Sequence, residues 1–149
     1  MAQNTAPIFG LTPDLQGVNI TTTAAQTGSA GLAAIGTGLF LAFTSGASGS
    51  YVQKIRFMSV ATGPTNSVAT VLRAYYSTVN TGTPTVGQTF LLGEISVGAL
   101  ASANATNATN FYELPLNFAI PANKYILVSQ HTAQTTNQNW QAFVIASDY

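Results

Sequence analysis

The sequence predicts an all-β fold, an antiparallel two-sheet β-sandwich of the jelly-roll kind with about eight strands. Short runs of alternating, β-branched or aromatic residues recur at intervals of roughly 10 to 15 residues. Segments rich in Gly, Pro, Ser and Asn separate these runs and are typical of turns. The 149 residues fit a single domain with one hydrophobic core.

The centre of the predicted fold is the stretch that carries three of the four basic residues. Residues 51–58 alternate with period two, and Lys54 and Arg56 share one face of the strand. Residues 61–66 supply Gly, Pro and Asn for a turn, and residues 68–76 resume a β-type run. We therefore expect a β-hairpin. The opposite, apolar face of its first strand would consist of Tyr51, Ile55 and Phe57.

Six further segments have the composition or alternation of strands. A helix competes for residues 30–43, but its three glycines would each cost about 1 kcal/mol, so we expect a strand at the Phe40 end. Pro115 lacks an amide donor and places its strand at a sheet edge or beside a bulge. The low-complexity residues 98–110 are expected to form an exposed loop. The six segments are residues 18–23, 37–44, 89–97, 112–118, 124–130 and 140–146.

The chain divides into an extended N-terminal arm, residues 1–16, and a single β-sandwich domain, residues 17–149. Pro7 and Pro13 each remove a backbone donor and disfavour a central strand in the arm. Two interpretations stay open, a frayed terminus and an extended segment that docks on a neighbouring protein. The candidate docking residues are the three large apolar ones, Ile8, Phe9 and Leu11.

The content of charged residues is very low. They form 5% of the chain, against 46% for apolar residues, and four basic and four acidic side chains give a formal net charge of zero. This balance lacks the electrostatic footprint of proteins that bind nucleic acid or anionic membranes, so we expect neither partner. A neutral surface with few charges is poorly protected against self-association, which favours assembly with other protein.

The composition also bears on the cellular compartment. The chain has no cysteine, so it contains no disulfide framework and no thiolate chemistry. Residues 1–7 lack a basic region followed by an apolar one, so we expect no secretory signal and a chain that stays in the cytosol until assembly.

The sequence predicts no enzymatic activity, no cofactor and no metal site. His131 is the single histidine, so a Ser-His-Asp triad would need Asp14 or Asp148, and no Gly-x-Ser-x-Gly elbow accompanies it. Glu94 and Glu113 would suffice chemically as a glycosidase pair, but nothing else in the sequence favours that hypothesis. The acidic residues are single and far apart in sequence, unlike metal-ligand clusters.

Five of the eight charged residues lie in the interior of predicted strands. In one interpretation each extends from a solvated sheet face, where an exposed pair contributes about 0 to 1 kcal/mol. In the other they form cross-strand or inter-subunit ion pairs that fix strand register and assembly geometry, with Arg73 paired to Glu94. These interface candidates are Lys54, Arg56, Arg73, Glu94 and Glu113.

The aromatic residues of the later strands also have two interpretations. Trp140 and several tyrosines would serve as a sugar-stacking platform if they were exposed on one surface. Core or interface positions are the commoner use of such residues, and we favour them here. The tyrosines concerned are Tyr75, Tyr76, Tyr112 and Tyr125.

Several runs of residues resemble small jelly-roll structural proteins of tailed bacteriophages and prophages. The resemblance covers about residues 37–149 and consists of strand patterns and turn residues. Its runs are GASGSYVQKIRF at 46–57, ATVLR at 69–73, LLGEI at 91–95, YELPLNFAIPA at 112–122 and YILVS at 125–129.

The resemblance implies a virion structural protein, a capsid decoration or cement protein that stabilises the head shell. It implies a homotrimer on the capsid surface, assembled in the host cytoplasm and bound to the major capsid protein of the same phage. The arm with Ile8, Phe9 and Leu11 would then grip the shell. Tail-associated proteins look similar, so a receptor- or carbohydrate-binding tail module is the alternative.

Overall fold

Two four-stranded antiparallel sheets pack face to face, as expected for the predicted eight-stranded sandwich. This computed structural model describes residues 10–101 and 110–149, so Ile8, Phe9 and most of the predicted loop 98–110 lie outside the described residues. The strand order is β1-β8-β3-β6 in the first sheet and β2-β7-β4-β5 in the second, the double Greek key of a jelly roll. No described segment forms a helix that is long and apolar enough to span a membrane. The strands are β1 (Thr12–Ile20), β2 (Phe40–Thr44), β3 (Ser50–Ala61), β4 (Thr70–Ser77), β5 (Thr89–Val97), β6 (Phe111–Ile120), β7 (Tyr125–Gln130) and β8 (Gln138–Asp148).

The predicted hairpin of residues 51–76 is wrong, although both of its strands exist. β3 pairs with β6 and β8 in the first sheet, whereas β4 pairs with β5 and β7 in the second. The turn residues at 61–66 mark a change of direction, but the connection 62–69 carries the chain from one sheet to the other. Turn composition alone cannot tell a hairpin from such a crossing, because both need the same residues.

A β-bulge at Gln53 also changes the predicted faces of β3. Val52 pairs with Ala146 of β8 and Lys54 pairs with Ile145, so Gln53 has no β8 partner. The extra residue reverses the alternation at this point. As a result Tyr51 lies on the outer face with Lys54, and not with the buried side chains of Ile55 and Phe57 as the alternation predicted.

Prolines lie in edge strands, as their missing amide donor requires. Pro115 lies in edge strand β6 beside a bulge, where Asn117 adopts a left-handed φ of 52°, so the prediction for Pro115 is confirmed. Pro13 lies in edge strand β1, opposite Ser147 of β8. Because β1 begins at Thr12, the predicted boundary between residues 16 and 17 falls inside this strand.

The core between the sheets is apolar and tightly packed. Trp140 is fully buried, and its ring lies 6.0 Å from that of the half-buried Tyr112. The core residues alternate along the strands with outward-facing ones, which is the pattern from which β6 and β8 were predicted. Other fully buried side chains between the sheets are Ile20, Phe43, Val52, Ile55, Phe57, Leu72, Ile126 and Val144.

The long connection between β1 and β2, residues 21–39, covers the outer face of the second sheet. It buries Tyr75 and Leu127, which point away from the main core, beneath Leu39 and its neighbours. Thr89 Oγ1 donates to the carbonyl of Gly31 at 2.9 Å, which fixes the connection against β5. We call residues 21–39 the covering segment.

Gly31 is required where the covering segment crosses Tyr75, and this can be tested by substitution. Gly31 and Gly82 both adopt left-handed φ angles, 67° and 73°, but only at Gly31 would an added Cβ lie 2.8 Å from the Tyr75 ring, whereas Gly82 faces open space. Both alanine variants incur about 1 kcal/mol of backbone strain. Gly31→Ala should lose about 1 to 3 kcal/mol more of the free energy of unfolding, measured by urea denaturation. Equal losses in the two variants would contradict the close packing over Tyr75.

Candidate interaction surface

The outer face of the first sheet, β1-β8-β3-β6, carries a group of exposed apolar side chains and is not covered by any described part of the chain. The described residues include eight exposed large apolar side chains. Four of them lie on this face, and a fifth, Leu11, immediately precedes β1. A protein surface normally leaves such side chains scattered, so a cluster of this kind indicates a contact surface. We call this surface the open face and define it by Leu11, Leu15, Tyr51, Phe111 and Phe143.

Strand pairing arranges the open face in rows across the four strands. One row runs from Gly17 through Phe143 and Arg56 to Glu113. A Cβ on Gly17 would come within 3.3 Å of the Phe143 ring, so any larger residue at this position would crowd the ring. A depression of about 320 Å³ adjoins Gly17 and Met58, and a second of about 410 Å³ adjoins Tyr51. The surface therefore has relief that another protein surface can fill.

A three-residue charge cluster lies among these apolar side chains. Glu113 Oε1 accepts from Arg56 Nη2 at 2.7 Å and lies 3.0 Å from Lys54 Nζ. The Arg56 guanidinium also lies over the Phe111 ring, 4.9 Å from its centroid. Two positive charges and one negative charge leave the cluster with a net charge of +1. The predicted interface candidates of the first sheet thus form one group on the open face.

The two cations determine the protonation of Glu113. Hydrogen bonds from Arg56, and then from Lys54, hold the pKa of the Glu113 carboxyl below its ordinary value. Because the pKa of this carboxyl is lower in the folded than in the unfolded state, its ionised form stabilises the folded protein at pH values above the unfolded-state pKa. This contribution is lost as the pH falls through the folded-state pKa.

The second ion pair, Arg73 with Glu94, lies on the other sheet and is much less exposed. Arg73 Nε donates to Glu94 Oε2 at 3.0 Å, and the two side chains are 8% and 49% exposed. Arg73 Nη1 donates to the backbone carbonyl of Gln26 in the covering segment at 3.0 Å. His131 Nδ1 lies 3.4 Å from both terminal nitrogens of the same guanidinium. Arg73 therefore joins three parts of the chain, namely β5, the covering segment and the residue that follows β7.

A smaller apolar patch lies on edge strand β5. Phe90 is 51% exposed and Leu91 is 45% exposed. Leu91 pairs with Tyr75, and Glu94 pairs with Arg73. Tyr75 and Arg73 are two residues apart in β4 and therefore point to the same side of the sheet. Leu91 and Glu94 thus lie on the same face. Phe90 pairs with Tyr76, and the two ring centroids are 6.1 Å apart, so Phe90 lies on the opposite face of the strand. We call Leu91 and Glu94 the β5 edge patch.

The catalytic alternatives find no matching geometry in the described residues. His131 lies next to a buried cation, whereas a catalytic triad needs a carboxylate there. Glu94 and Glu113 lie on the outer faces of opposite sheets, so they do not flank a common cleft. No group of three metal-ligating side chains is found within residues 10–101 and 110–149.

The aromatic residues proposed for a sugar platform do not form one surface. Trp140 and Tyr75 are fully buried, as the core interpretation predicts. A stacking platform that uses these two rings is therefore wrong.

Several residues of the open face were missed by the sequence reasoning. Leu15, Phe111 and Phe143 each lie outward on a strand whose alternate positions face the core. The signal was available in β8, where Phe143 stands between the small or branched core residues Ala142 and Val144. An aromatic ring at the solvent-facing parity of a strand indicates a contact surface. Of the predicted docking residues, Leu11 is described and is 79% exposed.

Comparison with solved structures finds matches at low sequence identity and with TM-scores below 0.5. A chain of the cyanophage Pam1 capsid asymmetric unit is 14% identical with a TM-score of 0.42, over 99% of this chain and 94% of that one. The cleaved adhesin domain of Lys-gingipain from Porphyromonas gingivalis is 18% identical with a TM-score of 0.41, over 74% of this chain and 63% of that one. The infectious bursal disease virus VP2 subviral particle gives 11% identity and a TM-score of 0.31, over 99% of this chain and 37% of that one.

No protein-family model matches the sequence, and no curated protein matches it.

The Arg73 and Glu94 pair should show measurable energetic coupling. A double-mutant cycle with Arg73→Met and Glu94→Gln should give a coupling free energy above about 0.5 kcal/mol, because the guanidinium is buried. The matched cycle with Arg56→Met and Glu113→Gln should give a smaller value, since both of these side chains are more exposed to water. Coupling near zero for the Arg73 pair would assign it to a solvated sheet face.

The pKa of Glu113 should respond to the loss of its first hydrogen-bond donor. In Arg56→Gln the pKa of the Glu113 carboxyl should rise towards its ordinary value, because the guanidinium contributes most to the depression. A carboxyl-detected NMR titration of the folded protein measures the change. Lys124→Gln, which changes a lysine outside the cluster, should leave the titration unchanged. A Glu113 pKa that stays the same in Arg56→Gln would contradict the cluster geometry.

Proposed function

We propose that the chain is a structural protein of a bacteriophage virion, and specifically a capsid decoration or cement protein that acts as a homotrimer. It would bind the major capsid protein of the same phage on the capsid surface after assembly in the host cytoplasm. Its mechanism is the burial of surface area between protein subunits, without chemistry. The observation that carries this proposal is the difference between the two outer faces of the sandwich.

One outer face is covered by the chain itself, whereas the other is left apolar. The covering segment buries Tyr75 and Leu127 on the outer face of the second sheet, so these side chains are covered within the molecule. The open face has no such cover among the described residues, and Leu15, Phe111 and Phe143 extend from it. A chain of zero net charge that exposes such a face is suited to permanent contact with other protein.

The energy available from this face is adequate for a structural role. Complete burial of one large apolar side chain contributes about 1.5 to 3 kcal/mol. The side chains of the open face are already partly buried, so each contributes less, and ordering costs lower the total further. Repetition around an oligomer and across a shell raises the overall strength of attachment through multivalency.

The N-terminal arm is proposed as the segment that attaches the protein to the shell. Ile8 and Phe9 precede the first described residue, Gly10, and Leu11 is strongly exposed. Leu11 donates its backbone N–H to the carbonyl of Asp148 at 2.7 Å, which anchors the base of the arm at the end of β8. An anchored base and apolar residues before it are the features that a docking arm needs.

Capsids of the phage that encodes the chain, prepared without this protein, provide the test. Wild-type protein should co-sediment with such capsids, and Ile8→Ser combined with Phe9→Ser should weaken binding by about tenfold or more, since up to about 3 kcal/mol of burial per side chain is lost. Asn4→Ser combined with Thr5→Ser is the matched control and should bind like the wild type. Because both pairs precede the described strands, we expect unchanged thermal midpoints. Absence of wild-type binding would overturn the proposed function, and full binding by the Ile8 and Phe9 variant would place docking elsewhere.

A further inference from the structure

We propose that the open face of one copy binds the β5 edge patch of the next copy, so that copies close into a ring through identical head-to-tail contacts. This inference rests on the homotrimer in the proposed function and names the surfaces that form it. The occupant of the open face is thus a second copy of this chain. The argument uses charge, exposure and the protection of sheet edges.

Charge indicates that the open face does not bind itself. The cluster of Lys54, Arg56 and Glu113 carries a net charge of +1 within an apolar surround. A two-fold contact between two open faces whose axis passes near β3 and β6 would bring two such clusters together, and like charges at an interface are strongly unfavourable. A partner surface for this face therefore needs apolar side chains and an accessible carboxylate.

The β5 edge patch has both of these features. The chain contains four acidic residues, of which Glu113 already belongs to the cluster. Asp14 accepts from Gln16 and Asp148 accepts from Ser50, and both are only partly exposed. Glu94 remains, with a half-exposed side chain that can accept a second cation. Leu91, on the same face as Glu94, is one of the three exposed large apolar residues that do not belong to the open face.

The edge strands provide an independent observation. Edges expose unpaired backbone groups, and proteins protect them with proline, bulges, charge or short length. β1 carries Pro13, β6 carries Pro115, and β2 has only five residues. β5 is a nine-residue edge strand without proline, and its bulge at Leu92 and its charge at Glu94 both lie beyond the end that carries Phe90 and Leu91. Among the four edges, β5 is therefore the longest without proline, and its first three residues carry neither a bulge nor a charge.

A contact between two different surfaces can be recognised by mixing variants. Leu15→Lys disables the open face and Leu91→Lys disables the β5 edge patch, so each variant alone should be monomeric in analytical ultracentrifugation. An equimolar mixture should form a 1:1 heterodimer, because one intact face and one intact patch remain, while the disabled surfaces prevent ring closure. Val86→Lys changes the most exposed apolar residue outside both surfaces and should form the wild-type ring. Circular dichroism and the thermal midpoint confirm folding of each variant.

A second variant tests the assignment of Glu94. Lys54→Met should weaken ring formation by about tenfold, because the neighbour's carboxylate loses a cation, while Lys124→Met should have no effect. Stronger assembly in Lys54→Met would show that the cluster meets no carboxylate and would overturn the assignment.

The outcomes separate this inference from the proposed function. A monomeric wild-type protein, a mixture that stays monomeric, or a Leu91→Lys variant that still assembles would overturn the ring. Monomers that nevertheless bind capsids would leave the decoration role standing. Rings that fail to bind capsids would support the interface and overturn the decoration role.

Discussion

The fold depends on the buried guanidinium of Arg73. A buried cation is tolerated only when charge and hydrogen bonds satisfy it, and Arg73 obtains them from Glu94 and from the carbonyl of Gln26. The second of these bonds helps to hold the covering segment on the outer side of the second sheet, together with the bonds that Thr89 and Gln130 donate to it. Without this segment, Tyr75 and Leu127 would be exposed, and the protein would present apolar surface on both sides. Satisfying the charge of Arg73 therefore contributes to the difference between the two outer faces.

Because of that difference, the molecule presents different surfaces on its two sides. A sandwich with two open faces would stack without limit, whereas one with a closed face can present a single apolar surface to its neighbours. The open face lies on β1, β8, β3 and β6, and the β5 edge patch lies on the other sheet. Repeated contact between two different surfaces gives a ring if the rotation from copy to copy returns to the first copy, and an open filament if it does not. The placement of the covering segment thus has consequences for assembly.

Much of the fold could be predicted from the sequence because the core alternation is regular. β6 and β8 follow the period of two closely, and β5 was predicted with its observed ends, residues 89 and 97. The pairing of β3 and β4 was not predictable, because sheet membership is decided by contacts between residues distant in sequence. The bulge at Gln53 was not predicted either, because a single inserted residue has no distinctive composition.

The candidate surface was predicted only through its charges. Five charged residues within strands indicated cross-strand pairs, and the structure brings them into two clusters. The apolar part of the open face depends on which side of each strand faces the core, and for Tyr51 the bulge at Gln53 reversed that side. The sequence did not predict which outer face is covered, because the covering segment has no regular secondary structure and its position is set by tertiary contacts.

The two charge clusters have similar chemistry, but their different burial gives them different roles. Arg73 is enclosed, so its pairing with Glu94 is a requirement of the folded state. Lys54 and Arg56 remain in contact with water, which screens their attraction to Glu113 and leaves little net stabilisation. Covering the open face removes that water and strengthens every interaction within the cluster. The exposed cluster therefore acts chiefly on the choice and orientation of a partner, because its charge must be balanced at the moment of contact.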